Sequence, residues 1–258
     1  MGVVEVSVEG RVATVTLNRP EVLNAFNTEV LQILVGELHA LGHREDIGAV
    51  ILTGAGEKAF AAGADIREMK DKNPTEARAF AELGQMVTTT IERIPQAVIA
   101  AVNGFALGGG CEIALACDIR ICSENARFGQ LEINLGIIPG WGGSQRLVRL
   151  CGPGFARELI FTGRMVDAQE ALRWGLVNAV YPQAELMDKA REMAGTIAAK
   201  SGIMVRYAKQ CMNRALDQDL AGGLRLEADM FGLAFATEDQ TEGMEAFLAK
   251  RPAEFKHR

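Results

Sequence analysis

Hydrophobic and polar positions alternate with a period of two through VVEVSV and RVATVTL, on either side of Glu9-Gly10. The pattern predicts two strands joined by a short hairpin whose glycine supplies a positive φ. The period then lengthens: Val30, Leu34, Leu38 and Leu41 form one apolar stripe, predicting a helix with Asn27 as N-cap and Gly42 as its stop. Ala49–Gly54 (AVILTG) and Gln96–Val102 (QAVIAAV) show no polar alternation, as expected of strands buried on both faces. Beyond them, Gly110–Cys117 reads as a helix and Ile119–Cys122 as a strand. Asp167-Ala168-Gln169-Glu170 has capping-box spacing and opens a short helix that Gly175 closes before a strand over Leu176–Val180. From about Pro182 the pattern is helical.

This order predicts an α/β core with parallel strands over 1–195, followed by a helical section over 196–258, with no sharp linker between them. The chain of 258 residues is 48% hydrophobic and 23% charged, the balance of an ordinary globular protein rather than a disordered one. Its net charge of -6 argues against a nucleic-acid surface, which needs a basic patch to neutralise phosphates. A small anionic ligand held by local cations and amides stays open. The five cysteines form no C-x-x-C pair and lie in mostly apolar surroundings, so they read as reduced core residues. The N-terminus has no basic stretch followed by an apolar one, Val6 stands where a myristoylation signal wants Ser or Thr, and no apolar run is long enough to span a bilayer. The expectation is a cytoplasmic protein without membrane contact.

Several familiar chemistries are missing. His39 and His43 are four residues apart but lack the Glu of H-E-x-x-H, so no metal site is expected there, and no G-x-S-x-G surrounds Ser144. The glycine-rich segments complete neither G-x-G-x-x-G nor a P-loop. Three of them do share a character: AFAAGADI (59–66), GFALGGGCEIA (104–114) and FGQLEINLGIIPGWGG (128–143). The first two follow buried strands, where α/β proteins build their sites. Small residues let backbone N–H groups approach a ligand, and amides at a helix start have no partner within the helix. Two such donors would hold a carbonyl oxygen as it becomes negative. Glu112 and Glu132 sit beside them, as acid/base chemistry on a polarised substrate requires. Taken singly, Glu112 reads more simply as a helix-dipole carboxylate and Glu132 as a loop salt-bridge partner.

The wording of the segments goes further. TLNRPEVLNAF, KAFAAGADIREM, QAVIAAVNGFALGGGCEIALACD, FGQLEINLGIIPGWGGSQRL, DAQEALRWGLVNAV and EGMEAFLAKRPAEF together resemble the crotonase superfamily, and within it the enoyl-CoA hydratases, over essentially the whole chain. The resemblance implies a ClpP/crotonase-like fold of repeated β-β-α units with a helical C-terminal region that mediates trimer formation, two trimers commonly making a hexamer. It places oxyanion amides on Ala64 and Gly109, catalytic glutamates on Glu112 and Glu132, and a water-holding amide on Gly140. It places coenzyme A against Leu23, Asn24, Ala25 and the Ala62, Ala64, Asp65 and Ile66 loop, with Lys250 near the phosphates, reached from a neighbouring subunit.

The implied reaction is reversible syn addition of water to a trans-2-enoyl-CoA, with coenzyme A as part of the substrate and no metal or other cofactor. Leu131 stands where many hydratases have proline, and Trp141, in a variable position, is expected to shorten the acyl pocket and favour short chains. Two alternatives remain: a Δ3-Δ2 enoyl-CoA isomerase, which typically keeps an acid at the Glu132 position and an apolar residue at the Glu112 position, and a non-catalytic CoA-binding protein of the same fold.

Overall fold

Val4–Glu9 (β1) and Val12–Leu17 (β2) pair antiparallel from Val4 opposite Leu17 to Glu9 opposite Val12, and Gly10 takes the turn at φ 58°. The computed structural model describes residues 2–258. After the hairpin comes Thr28–Gly42 (α1), capped by the Asn27 side chain accepting from the Val30 N–H, with the expected stripe buried. Ala49–Gly54 (β3) runs parallel to β2, Ala97–Val102 (β5) parallel to β3, Ile119–Ser123 (β7) parallel to β5, and Ala179–Tyr181 (β10) parallel to β7. The six strands form one sheet in the order β1-β2-β3-β5-β7-β10.

Each central strand is apolar on both sides because both sides are covered. Val50 and Leu52 face the core shared with Leu34 and Leu38 of α1 and with Val87 and Ile91 of Pro74–Arg93 (α3). Ala49 and Ile51 face Leu186, Ala190 and Ala194 of Leu186–Ala198 (α8). A small hydrophobe on one side and a helix on each face is the arrangement that removes polar alternation from a strand.

A second sheet was not expected from periodicity. Ala59–Ala61 (β4), Phe105–Leu107 (β6), Arg127–Gly129 (β8) and Met165–Asp167 (β9) form it in the order β4-β6-β8-β9, with β9 antiparallel to β8. Each strand has three residues, too short for an alternating pattern to register. The segments that read as loops after buried strands are therefore partly strand: β3 leads into β4 and then Ile66–Met69 (α2) and α3, and β5 leads into β6 and then Gly109–Ala116 (α4). This repeat of strand, strand and helix carries the chain to the site. The last strand also begins later than the Leu176–Val180 expected, because after Ala168–Arg173 (α7) the Leu176 and Val177 amides turn back onto the Ala171 carbonyl instead of pairing with a strand. Between β8 and β9 lie Gly143–Cys151 (α5) and Pro153–Thr162 (α6).

Residue 195 falls inside α8, which packs along the sheet through Ala190, Ala194 and Ala198. The section that leaves the sheet consists of Gly202–Arg214 (α9), Leu220–Ala234 (α10) and Glu238–Leu248 (α11). Lys209 ties α9 to the core, donating to the carbonyls of Ile91 and Gln96 at 2.9 Å and to Asp118 Oδ2 at 2.7 Å. α10 has no buried residue, and Leu220, Leu224, Phe231 and Phe235 are exposed. Among the described residues no helix is long and apolar enough to cross a membrane.

Candidate active site

α4 is apolar and buried all round except for one acid, Glu112. A carboxylate in such a helix needs donors. Its Oε1 accepts the N–H of Trp141 and the N–H of Gly143, both at 2.7 Å, from the turn that precedes α5. Oε2 is left for another partner. Burial pushes the Glu112 carboxyl above its ordinary range, while the Gly143 and Trp141 amides and the Arg146 charge oppose that rise.

Glu132 opens a short 3-10 turn after β8 and is buried beside the same helix start. Burial, and then the nearby charge of Glu112, raise its carboxyl to about 7. With the Gln130 amide turned so that its nitrogen faces the carboxylate, it donates at 3.2 Å to each oxygen of Glu132. The opposite orientation would set oxygen against oxygen. Two carboxylates in one poorly solvated place cannot both ionise freely, so the pair tends to share a proton. The fully buried Cys111 thiol is pushed up by burial and by both glutamates, which keeps it from acting as a thiolate.

Gly108, with φ 50°, precedes α4 and has no side chain to cap it. The Gly109 amide is thus the first of the helix and has no partner in it. The partner loop reaches the same place. Phe26 and Ala64 form a parallel bridge in which the Phe26 N–H donates to the Gly63 carbonyl at 2.9 Å and the Asp65 N–H to the Phe26 carbonyl at 2.7 Å. In such a bridge the amide of the middle residue, Ala64, points away from its partner strand. A methyl built on Gly63 would lie 3.5 Å from the Gly109 nitrogen, so the segments bearing Ala64 and Gly109 are in contact. The expected pair of oxyanion donors is brought together.

The proposed coenzyme A edge is also assembled from distant segments. Leu23 and Asn24 adopt left-handed φ values of 54° and 57°, and the Leu23 carbonyl accepts the Ala62 N–H at 3.0 Å. The Asn24 side chain donates to the Ala59 carbonyl at 2.8 Å, and Arg19 donates to the Ala25 carbonyl at 2.7 Å while lying 3.6 Å from Asp65. Leu23, Ala25, Ala62, Ala64 and Asp65 are half-buried along this edge and Ile66 is exposed. Lys250 follows α11 on the exposed C-terminal section with φ 53°; the structure gives it no contact with either segment.

Gly140 and Trp141 hold more than one position in this arrangement. The Gly140 carbonyl accepts from Gln85 of α3 at 2.8 Å. The Trp141 indole is buried, edge-on to Phe26 and Phe80 at 5.6 and 5.7 Å, and closes on the backbones of Gly84 and Gly109. It is a core wedge directly behind the Gly109 backbone. The residues that sequence reading missed are Gln130, Arg146 and the amides of Trp141 and Gly143. Gln130 and Arg146 lie within FGQLE and GGSQRL, but a single polar side chain carries no sign of which backbone it will reach. The histidines stand apart, with His43 at the C-terminal cap of α1.

Residues 7–258 match the family model described as Enoyl-CoA hydratase/isomerase. The chain is 52% identical over 251 residues to the short-chain-enoyl-CoA hydratase of Clostridium acetobutylicum, covering 97% of this chain and 96% of that protein. It is 47% identical over 247 residues to the crotonyl-CoA hydratase of Syntrophomonas wolfei, covering 96% and 95%. Among solved structures it resembles an enoyl-CoA hydratase from Bacillus anthracis, with a TM-score of 0.96 at 42% identity over 99% of both chains.

Proposed function

This chain belongs to the enoyl-CoA hydratase/isomerase family and has its crotonase fold, and from that premise we propose that it is an enoyl-CoA hydratase adding water across the double bond of a short trans-2-enoyl-CoA. The observation that carries the proposal is the pairing of two buried glutamates, Glu112 and Glu132, beside two backbone amides that no helix or strand partner occupies. Amides aimed at a developing oxyanion are commonly the largest single contribution to such catalysis, about 2.7–4 kcal/mol for one donor.

In this reading Ala64 and Gly109 donate to the thioester oxygen, which withdraws electrons from C3 and stabilises the enolate-like charge. Glu112, its Oε1 held by two amides, takes a proton from water through Oε2 as the water oxygen bonds to C3. Glu132, whose carboxyl titrates near 7, supplies the proton to C2. The thioester serves as the electron sink. Run backwards, the carboxylate of Glu132 removes the C2 proton and the acid form of Glu112 protonates the departing hydroxyl.

The Leu23–Ala25 and Ala62–Ile66 edge would hold the coenzyme A portion of the substrate, with Lys250 supplied by a neighbouring subunit to its phosphates. The exposed apolar residues of α10 support a trimer or a hexamer of two trimers, and the unpaired cysteines suit a cytoplasmic setting. Similarity to relatives named for short-chain and crotonyl substrates supports the short-chain preference.

Crotonyl-CoA is the deciding substrate. Loss of its conjugated-thioester absorbance should be rapid with the wild-type protein and fall roughly 10²–10⁴-fold in Glu112→Gln and in Glu132→Gln, the usual worth of a positioned acid or base. A wild-type protein that binds coenzyme A yet leaves crotonyl-CoA unchanged would make it a binding protein instead.

A further inference from the structure

We propose that Arg146 is a positioning residue for the hydration step: with Gln85, Thr88 and Glu92 of α3 it pins the Gly140–Gly143 turn, so that two amides grip one oxygen of Glu112 and leave the other for water. The inference rests on the hydratase reading above for its catalytic meaning, and on hydrogen bonds for its geometry.

A trans peptide points its carbonyl and its N–H in opposite directions. Anchoring a carbonyl therefore aims the N–H of the next residue. The Gly140 carbonyl accepts from Gln85 at 2.8 Å, which aims the Trp141 N–H at Glu112. The Trp141 carbonyl accepts from Arg146 Nη1 at 3.0 Å and from Thr88 at 3.2 Å, which turns the Gly142 N–H the same way. The Gly142 carbonyl accepts the Arg146 N–H at 2.8 Å, which aims the Gly143 N–H at Glu112. All three peptide planes of the turn are held on their outer side.

Arg146 is held in turn. Its Nε and Nη2 donate to the two oxygens of Glu92 at 2.6 and 2.8 Å, a fork-to-fork pair that leaves Nη1 for the Trp141 carbonyl. Gly142 has φ 109°, and a side chain there would overlap the guanidinium. The titratable and charged groups facing Glu112 are Glu132 from the turn after β8, the neutral Cys111 thiol beside it on α4, Arg146 from α5 and, across Arg146, Glu92 from α3. Arg146 is the cation among them and favours the carboxylate form.

The test compares wild type, Arg146→Lys and Arg146→Met by kcat and KM on crotonyl-CoA, by the pH profile of kcat/KM, and by carbon-13 NMR titration of the Glu112 carboxyl, assigned with Glu112→Gln. For Arg146→Met, kcat should fall on the order of ten- to a hundred-fold, the worth of a charged hydrogen bond, with KM little changed. Its acid limb and its Glu112 titration should both move to higher pH. Arg146→Lys keeps the charge but cannot span Glu92 and the Trp141 carbonyl together, so kcat should fall while the titration stays near wild type. Wild-type kcat in Arg146→Lys, or a folded Arg146→Met whose Glu112 titration does not move, overturns the proposal. If Arg146→Met does not fold, Arg146→Lys decides by kcat and KM. If the wild-type protein does not hydrate crotonyl-CoA, the hydratase reading fails, and the NMR titration still decides whether Arg146 sets the state of Glu112.

Discussion

Glu132 packs against the bare backbone of Gly108: a methyl built on that glycine would lie 3.0 Å from Glu132 Oε1. Gly108 also immediately precedes α4, at φ 50°, so the residue that sets the start of that helix is the one that makes room for Glu132. Gly108→Ala should therefore fail twice. The pairing of φ 50° with ψ -124° costs about 1–3 kcal/mol for an L side chain, and the methyl displaces the Glu132 carboxyl. Thermal melting should show a modest loss and kcat on crotonyl-CoA a much larger one; equal kcat in a folded Gly108→Ala would separate Gly108 from the chemistry.

The raised Glu132 carboxyl makes a stability prediction with a definite sign. Its value moves from 4.5 to about 7 on folding, so between those values the native state binds more protons than the unfolded chain. The contribution of Glu132 to stability then falls as pH rises through that window and levels off above it, by ~3 kcal/mol if the whole shift counts. Glu132→Gln removes this dependence. Denaturant unfolding of both proteins from about pH 4 to pH 8 should show Glu132→Gln gaining on wild type with rising pH; parallel curves would contradict the raised value.

Activity should follow a bell in pH. In the proposed mechanism hydration uses Glu112 as base and Glu132 as acid, and dehydration uses the proton on the other partner. Both are forms of the pair carrying one proton, and the apparent values belong to the pair. The profiles of kcat/KM for crotonyl-CoA hydration and for 3-hydroxybutanoyl-CoA dehydration should share both limbs. Limbs that differ between the two directions would show that a third group carries a proton.

Trp141 combines two roles that substitution can separate. Its indole fills the space between Phe26, Phe80, Gly84 and Gly109, so Trp141→Ala should cost about 3–5 kcal/mol. If the same indole limits the acyl pocket, the ratio of kcat/KM for octenoyl-CoA to that for crotonyl-CoA should rise in the variant. A wild-type protein already faster on octenoyl-CoA would remove the short-chain assignment.

The C-terminal section is fastened to the core by a buried charge. Lys209 is satisfied by two carbonyls and Asp118, and Asp118 also accepts the Val98 N–H at 2.7 Å. Lys209→Met leaves the half-buried Asp118 without its ion-pair partner, with only the Arg120 charge still acting on it, and should cost up to about 3 kcal/mol. Chemical denaturation measures this directly, and a cost near zero would show that α9 is held by other contacts.

Local patterns in the sequence determined much of this protein. The helix over Thr28–Gly42 with its Asn27 cap, the buried strands β3 and β5, and the helical character after Pro182 follow from periods of two and 3.6 and from capping chemistry, which involve only near neighbours. The three glycine-rich segments and the two acids were visible for the same reason, and their wording carried the family. Only the tertiary structure decided what those acids do for one another. Nothing within Cys111-Glu112-Ile113 says that Trp141 and Gly143 will supply its donors, and nothing in FGQLE says that Gln130 will turn back on Glu132. The second sheet was hidden because AFA, FAL, RFG and MVD are strands of three residues that exist only beside one another. Backbone amides have no side-chain identity, so an oxyanion site and a gripped carboxylate become legible only when distant peptides are seen to face the same point in space.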